Sequence, residues 1–178
     1  MNFIQTEIKG VLIIEPKVFH DPRGFFYESY RKSLFAMHGI KEHFVQDNIS
    51  LSTQKGVLRG LHYQVAPRAQ AKLVRVTQGA VFDVIVDIRP RSKSYGKYFA
   101  ITLSSENKKM LYIPKGFAHG FCVLEDDTEF QYKVSDYYSP EHERGILWSD
   151  PSLAIPWPKV GREFIISNKD KKYSLLER

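Results

Sequence analysis

The chain has 178 residues and a mass of 20.7 kDa, which is the size of one domain. Its hydrophobic fraction of 43% and charged fraction of 26% are ordinary globular values and argue against a disordered chain. Cys122 is the only cysteine, which excludes an intramolecular disulfide and a cysteine-rich zinc site.

Charge and hydropathy limit the partners of the protein. A formal net charge of +6 favours an anionic partner, either nucleic acid or a small phosphorylated ligand. The densest basic stretch, Arg89–Lys97, contains the Pro, Ser and Gly of a loop, so a solvated loop is favoured there over a nucleic-acid surface. The best apolar run, Gly79–Ile88, is interrupted by two aspartates, and the N-terminus lacks the pattern of a secretion signal. We therefore expect a cytoplasmic protein that binds neither nucleic acid nor a membrane.

Short runs rich in Val, Ile, Phe and Tyr recur between clusters of Gly, Pro, Asn and Ser, which is typical of antiparallel strands. In chain order, strands are predicted at Val11–Glu15, Phe25–Arg31, Val45–Ser52, Gly56–Gln64, Lys72–Thr77, Ala80–Ile88, Tyr98–Leu103, Met110–Ile113, Gly120–Leu124 and Thr128–Val134. Lys32–His38, closed by Gly39, is the one good helix candidate, and a weaker one lies near the C-terminal end. So many strands with so few helices exclude a parallel sheet and predict an all-β sandwich or barrel.

Strand alternation predicts which side chains share a face, because residues i and i+2 point the same way. Tyr132 is expected to point inward with Phe130 and Val134. The same rule groups Lys72 with Val74 and Val76, His62 with Leu58 and Gly60, Glu28 with Phe26 and Tyr30, and Gln46 with Asn48 and Ser50. Polar groups on apolar faces are costly unless they converge on a site, so a shared internal site is predicted.

A Pro–Gly turn in the segment Tyr112–Phe121 precedes His119, and this pattern resembles the second motif of the cupin barrels. The first cupin motif of metal-binding members supplies a His-x-His pair, but here Gln64 stands where the second histidine would follow His62. None of the other histidines has the spacing of a metal ligand pair, so no bound metal is expected.

His62 and His119 are individually most consistent with hydrogen-bonded core histidines, but Arg59, Lys72 and Tyr132 nearby shift the balance towards catalysis. Two glycines bracket Arg59, which predicts a bulge or a close backbone approach, either of which aims its guanidinium into the barrel. A guanidinium suits a diphosphate, although a surface salt bridge explains this segment equally well when it is taken alone.

Several blocks together resemble the dTDP-4-dehydrorhamnose 3,5-epimerase family, in order, over about residues 3 to 171. The blocks are Asp21-x-Arg23-Gly-x-Phe26-x-Glu28-x-Tyr30, Gln46-Asp-Asn48-x-Ser50, Lys55–Gln64, Gln70-x-Lys72-Leu-Val-Arg-Val, Asp83-Val-x-Val-Asp87-x-Arg89, Ile113–Phe121, Glu143-x-Gly-Ile-x-Trp148-x-Asp150-Pro and Ile165-x-Ser-x-Lys169-Asp170. The resemblance implies a cupin-type jelly-roll barrel with short flanking helices, a homodimer and no cofactor. It also implies a single domain over residues 1–178, with a core at about 20–150 and an extension, 151–178, that contributes to the site.

The resemblance implies that dTDP-4-dehydro-6-deoxy-D-glucose is converted to dTDP-4-dehydro-L-rhamnose, a step towards dTDP-L-rhamnose for cell-surface polysaccharide. Carbons 3 and 5 flank the C4 ketone, so removal of either proton gives an enolate. His62 is implied as the base and Asp170 as the carboxylate that orients it. Tyr132 is implied as the proton donor on the opposite sugar face, and Lys72 as the cation near the C4 oxygen. Taken alone, these residues resemble a core tyrosine, a strand lysine and, for Asp170, part of a solvated tail.

Further positions match the substrate-binding residues of the family. They are Arg23, Phe26, Glu28, Gln46, Asn48, Arg59, His119, Tyr138, Glu143 and Lys169. Tyr138 resembles the aromatic residue that stacks on thymine, whereas Arg23, Arg59 and Lys169 suit the phosphates or the sugar. Three alternatives stay open: a monoepimerase or 3,4-ketoisomerase, a silent cupin that binds a sugar nucleotide or nucleic acid, and a metal-dependent cupin. The sequence also leaves open whether Val11–Ile14 pairs with a partner or with its own sheet.

Overall fold

The computed structural model of the protein describes residues 1–161 and 163–177, so positions 162 and 178 of the predicted extension lie outside the described residues. The strands are β1 (Asn2–Gln5), β2 (Leu12–Glu15), β3 (Phe19–Asp21), β4 (Gly24–Phe26), β5 (Gln46–Ser52), β6 (Val57–Gln64), β7 (Lys72–Gln78), β8 (Ala80–Asp87), β9 (Tyr98–Ser104), β10 (Met110–Ile113), β11 (Phe117–Val123), β12 (Thr128–Val134), β13 (Glu143–Gly145) and β14 (Ile165–Ile166). Helix α1 spans Lys32–Met37, and 3-10 turns lie at Pro140–His142 and Asp170–Lys172.

Two large sheets form the body of the protein. Sheet I has the order β1-β2-β10-β7-β12-β5, and sheet II has the order β13-β6-β11-β8-β9, with β14 added in parallel to β6. A core of Val74, Val76 and Phe130 from sheet I and Ile85 and Phe121 from sheet II joins their inner faces. This arrangement is an all-β jelly roll with short flanking helices, which confirms the predicted fold class.

The outer face of sheet I is covered near α1. Leu73 and Met110 of the sheet are buried together with Phe35 of α1, whose side chain is almost fully enclosed. The helix ends where Gly39 adopts a φ of +86°, which a glycine tolerates without strain. Sheet I is therefore apolar on both faces in this region, and its polar inward side chains are exceptions that need an explanation.

Most predicted strands occur within one or two residues of their expected bounds, and Met110–Ile113 and Thr128–Val134 coincide with β10 and β12. Strand β11 begins earlier than predicted, so His119 lies inside the strand rather than before it. The weaker helix candidate near the C-terminal end is only the turn Asp170–Lys172.

The predicted strand Phe25–Arg31 is wrong beyond Phe26, where β4 ends. The aromatic alternation has another cause, because Tyr30 leaves the hairpin and packs edge-on against Phe35 of α1 at 4.8 Å. Glu28 pairs with Arg31 at 3.2 Å instead of sharing a strand face with Phe26 and Tyr30.

The N-terminal strand β2 lies between β1 and β10 in its own sheet, which settles the open choice for Val11–Ile14 within this chain. Within the described ranges, no helix has the length and apolar character needed to cross a membrane.

Candidate active site

Two adjoining cavities open between the sheets, and His62, Lys72 and Tyr132 line both of them. The first cavity, of about 560 Å³, is also lined by Ser50, Arg59, His119, Lys169 and Asp170. The second, of about 320 Å³, is also lined by Gln46, Asn48, Tyr138 and Glu143. The predicted convergence of polar side chains therefore occurs, and its centre is the trio His62, Lys72 and Tyr132.

A bulge in β6 directs the side chains of Arg59 and His62 into the first cavity. His62 pairs with His119 and Arg59 pairs with Phe121, so β6 has one residue more than β11 over this interval. The predicted bulge at Arg59 is thus confirmed. The predicted grouping of His62 with Leu58 and Gly60 is wrong, because one extra residue inverts the alternation and places His62 with Arg59 instead.

Glycine is required where β6 and β11 meet at the bulge. Gly60 has a φ of +128°, and a Cβ there would lie 2.5 Å from the Cα of Gly120. A Cβ on Gly120 would in turn lie 2.7 Å from the backbone oxygen of Arg59. Both positions therefore exclude a side chain, and the close approach of the two strands sets the direction of Arg59 and His62.

His62 is held by a carboxylate from the C-terminal segment. Its Nε2 lies 2.8 Å from Oδ1 of Asp170, and Asp170 is only 4% exposed. The backbone N–H of Gly60 donates to Oδ2 of Asp170 at 3.3 Å, and Ser167 Oγ accepts from the Asp170 N–H at 3.0 Å. Burial alone raises the pKa of Asp170, but the hydrogen bonds with His62, Gly60 and Ser167 and the charge of His62 outweigh it and lower the pKa overall.

Tyr132 and Lys72 face this pair from sheet I. Burial raises the pKa of Tyr132, so its phenol keeps its proton at neutral pH, while the nearby Arg59 guanidinium opposes the shift. Solvent reaches Lys72 through the cavity, yet protein surrounds its ammonium, and this desolvation lowers its pKa to about 8. The charges of Asp83 and Glu143 limit the fall. The inward alternation predicted for Tyr132 and Lys72 is confirmed.

His119 lies at the wall of the first cavity and is 6% exposed. Its Nε2 is 2.9 Å from Oδ2 of Asp83, a fully buried residue of β8. Asp83 is a candidate functional residue that the sequence-based prediction of the site misses, although one block of the family resemblance contains it. A signal was available, because a carboxylate in the most apolar strand of the chain is costly without a partner.

The second cavity has a polar rim. Tyr138 donates its hydroxyl hydrogen to Oε2 of Glu143 at 2.7 Å, and Lys169 also donates to that oxygen. Burial alone raises the pKa of Glu143, but these two hydrogen bonds, together with the charges of Lys169 and His62, outweigh it and lower the pKa. On the opposite side Gln46 donates to Asn48 at 2.8 Å and accepts from the backbone N–H of Tyr138 at 3.1 Å. Gln46, Asn48 and Ser50 share a face, as predicted, and that face lines the two cavities.

Three predicted binding residues lie away from both cavities. Arg23, in the β3–β4 hairpin, pairs with Asp21 at 2.6 Å, and its side chain is 89% exposed. Phe26 is 70% exposed, and Glu28 is engaged with Arg31 at the surface. A single chain therefore does not bring Arg23, Phe26 or Glu28 to the site.

The predicted basic loop also lies apart from the site. Residues 89–97 connect β8 to β9, as expected, and line a surface groove of about 990 Å³ that contains none of the predicted site residues. Asp87 anchors the loop through hydrogen bonds from Arg89, Ser92 and Ser94. In the part of the chain that the structure describes, no three His, Cys, Asp or Glu side chains group as metal ligands would.

The fold is a jelly-roll barrel of the cupin class. In its site a histidine of one sheet, paired with a carboxylate of the C-terminal segment, faces a tyrosine and a lysine of the other sheet. The family model described as dTDP-4-dehydrorhamnose 3,5-epimerase matches residues 5–178. The dTDP-4-dehydrorhamnose 3,5-epimerase of Escherichia coli (strain K12) is 56% identical over 178 residues, which cover 99% of this chain and 95% of that protein. The chain therefore belongs to the dTDP-4-dehydrorhamnose 3,5-epimerase family, whose members are isomerases.

Solved structures agree with this assignment. The structure of dTDP-6-deoxy-D-glucose-3,5-epimerase from Legionella pneumophila in complex with dTDP-4-keto-L-rhamnose is 52% identical, with a TM-score of 0.94, and the match covers 98% of this chain and 92% of that chain. A 3′-monoepimerase from Streptomyces bikiniensis in complex with dTDP-quinovose is more distant, at 31% identity and a TM-score of 0.89, covering 96% and 86% of the two chains. The fold thus accommodates both double and single epimerases.

Proposed function

We propose that the protein epimerises dTDP-4-dehydro-6-deoxy-D-glucose at C3 and C5 and yields dTDP-4-dehydro-L-rhamnose, as a step of dTDP-L-rhamnose biosynthesis. The observation that carries the proposal is that His62, bonded to Asp170, lines both cavities from sheet II, while Tyr132 and Lys72 line them from sheet I. A hexulose ring bound between the sheets then meets a base on one face and an acid on the other.

His62 is the proposed base. Because its Nε2 is engaged by Asp170, Nδ1 is the nitrogen that accepts the proton from C3 or C5. The resulting imidazolium is stabilised by the Asp170 carboxylate, as in a hydrolase triad. The electron pair of the broken C–H bond moves into the enolate, and the charge on its C4 oxygen is stabilised by the Lys72 ammonium.

Tyr132 is the proposed acid. Its phenol donates a proton to the opposite face of the same carbon, which collapses the enolate to the ketone with inverted configuration. The phenolate regains a proton and the imidazolium loses one through solvent, so each epimerisation is balanced. No hydride leaves the sugar, and the chemistry requires no redox cofactor.

Substrate binding is assigned to the remaining lining residues. Arg59 and Lys169 suit the diphosphate because both are cations on the first cavity. Tyr138 presents an exposed ring at the second cavity that suits stacking on thymine, and Gln46 and Asn48 provide amides for the base or sugar. His119 and Glu143 are assigned to the sugar nucleotide as well.

The working unit is proposed to be a homodimer, in which Arg23, Phe26 and Glu28 reach the site of the other protomer. Support comes from their exposure and from the lining of the two cavities, which includes none of the three in their own chain. Mixing Arg23→Ala with His62→Ala, each expected to be inactive by itself, tests this arrangement. Shared sites restore activity, because one site of each mixed dimer combines the intact Arg23 of one chain with the intact His62 of the other. Sites built from one chain gain nothing on mixing.

The product decides between this function and its nearest alternative. Purified protein incubated with the dTDP-4-keto-6-deoxyglucose substrate is expected to yield the doubly inverted sugar, identified by proton NMR. A sugar inverted at one carbon only indicates a monoepimerase, and unchanged substrate refutes epimerisation.

We also propose that the reaction proceeds in the cytoplasm without a metal. Activity that survives exhaustive chelation supports a metal-independent reaction, whereas a loss of activity that a divalent metal restores contradicts it.

A further inference from the structure

Asp83 is a fully buried carboxylate that the mechanism above does not use. It lies on β8 between apolar neighbours, and Val84 and Ile85 have no exposed surface. Its Oδ2 meets Nε2 of His119 at 2.9 Å, while Oδ1 has no hydrogen-bond partner among the described residues. Burial of a carboxylate without a balancing cation lowers the stability of the folded protein. Packing therefore does not explain Asp83 in this strand, and another role is indicated.

His119 does not supply the balancing charge. Burial lowers its pKa, and the nearby Asp83 carboxylate and the hydrogen bond to it only partly oppose this, so the ring is neutral at neutral pH. A neutral ring donates the Nε2 hydrogen to Asp83 and leaves Nδ1 as an acceptor. The ring is also fixed by its stacking on Phe130, with 6.0 Å between the ring centroids. His119 is therefore oriented by Asp83 but leaves its negative charge in place.

Lys72 is the cation that remains. Its ammonium makes no ion pair within 4.0 Å of another described residue, and burial in the cavity wall is the main cause of its lowered pKa. The titratable and charged groups around it come from several strands: Asp83 on β8, His119 on β11, His62 on β6, Tyr132 on β12 and Glu143 on β13. Arg59, Lys169 and Asp170 line the first cavity with it. Glu143 is already bonded to Lys169 and Tyr138. Of the two acids whose charges act on Lys72, Asp83 and Glu143, Asp83 is thus the one that has no other cation.

We infer that Asp83 is a positioning residue for the epimerisation: its buried carboxylate holds Lys72 as an ammonium beside the reacting sugar and fixes the His119 ring at the cavity wall. The inference rests on the proposed function. Asp83 acts through Lys72 and touches no substrate atom. Because only the ammonium form of Lys72 stabilises the enolate, activity falls as the pH rises through the pKa of Lys72, and loss of Asp83 moves this fall to lower pH.

The test is the ratio of kcat between Asp83→Asn and the wild-type enzyme from pH 6 to pH 9. Asparagine keeps the shape of the side chain and an oxygen for the His119 N–H, but removes the charge. Removal of a nearby opposite charge lowers the pKa of a lysine by about one pH unit or more. We therefore expect nearly equal kcat at pH 6 and a variant slower by about tenfold at pH 9. A ratio that stays constant across this range indicates a merely structural role and overturns the inference.

Asp87→Asn is the matched control. Asp87 lies on the same strand and is also fully buried, but it bonds Arg89, Ser92 and Ser94 away from the cavities. This variant is expected to be less stable than the wild type and to keep its pH profile. A pH profile shifted like that of Asp83→Asn assigns the effect to general destabilisation and overturns the inference.

If Asp83→Asn does not fold, the pH dependence of kcat in the variant Lys72→Arg tests the inference instead. A guanidinium stays protonated over this pH range, so the fall in activity that belongs to Lys72 disappears, and its persistence overturns the inference. The wild-type enzyme separates the two proposals. An inactive wild type refutes the proposed function, whereas an active wild type with a pH-independent ratio refutes only the role of Asp83.

Discussion

The hydrogen bond between His62 and Asp170 makes a quantitative prediction. Asp170→Asn keeps the size of the side chain but offers one acceptor oxygen where the carboxylate offers two. In the structure, Oδ1 meets His62 Nε2 at 2.8 Å and Oδ2 accepts from the Gly60 N–H at 3.3 Å. The asparagine amide therefore accepts from only one of these two N–H donors, and its own NH₂ group faces the other donor. If its NH₂ group faces His62, it forces the ring proton onto Nδ1, the atom that must accept the substrate proton.

The size of the effect follows from the bond that is lost. A hydrogen bond to a charged group contributes about 1.5–3 kcal/mol. If the imidazolium forms fully in the transition state, kcat falls by about 10- to 150-fold, since each 1.36 kcal/mol is a factor of ten. KM is expected to change little, because Asp170 is buried behind His62 and is assigned no contact with the nucleotide.

Steady-state kinetics by NMR, with circular dichroism as a check of folding, measures this effect. Asp87→Asn serves as the control, because it removes a buried carboxylate that lines neither cavity and is expected to retain wild-type kcat. An Asp170→Asn variant with wild-type kcat, or with a change confined to KM, refutes the assignment of Asp170 to the base.

Three further variants test separate parts of the account. His62→Ala is expected to abolish proton exchange at C3 and C5 while calorimetry shows dTDP binding close to wild type; retained exchange removes His62 as the base. Tyr132→Phe should lower product formation by about 100-fold or more while C–H exchange continues, and unchanged rate and stereochemistry argue against Tyr132 as the acid. Burial alone raises the pKa of Asp87, but hydrogen bonds from Arg89, Ser92 and Ser94 lower it to about 2. The resulting stabilisation, about 2 kcal/mol, is fully present above pH 4 and lost as the pH falls towards 2. Urea unfolding should show that Asp87→Asn has a free energy of unfolding lower than the wild type by this amount at pH 7, and by less as the pH falls. A difference in the free energy of unfolding that does not change with pH contradicts this role of Asp87.

The fold was predictable because most of its strands have a recognisable local pattern of alternating apolar and polar residues. Thr128–Val134 alternates between large buried side chains and polar ones, and β12 has those bounds. Phe25–Arg31 alternates as well, but Tyr30 belongs to a cluster with α1, and side-chain periodicity does not distinguish packing on a sheet from packing on a helix. Very short strands such as β13 and β14 have too few residues to show a period.

The site was predictable only in part. Two glycines around Arg59 predicted the bulge, yet the bulge also inverted the face assigned to His62. Asp170 reaches His62 across 108 positions of the chain, and no local pattern carries that contact, so only the family resemblance pointed to it. Asp83 was visible as a charge in an apolar strand, but its partner His119 is fixed by strand order rather than by sequence neighbourhood.

The most direct test of the central claim is exchange in heavy water. We expect the wild-type enzyme to replace two carbon-bound hydrogens of the dTDP-4-keto sugar by deuterium, one at C3 and one at C5, as seen by NMR and mass spectrometry. Incorporation at a single carbon contradicts the double epimerisation, and incorporation at neither contradicts enolate chemistry at this site altogether.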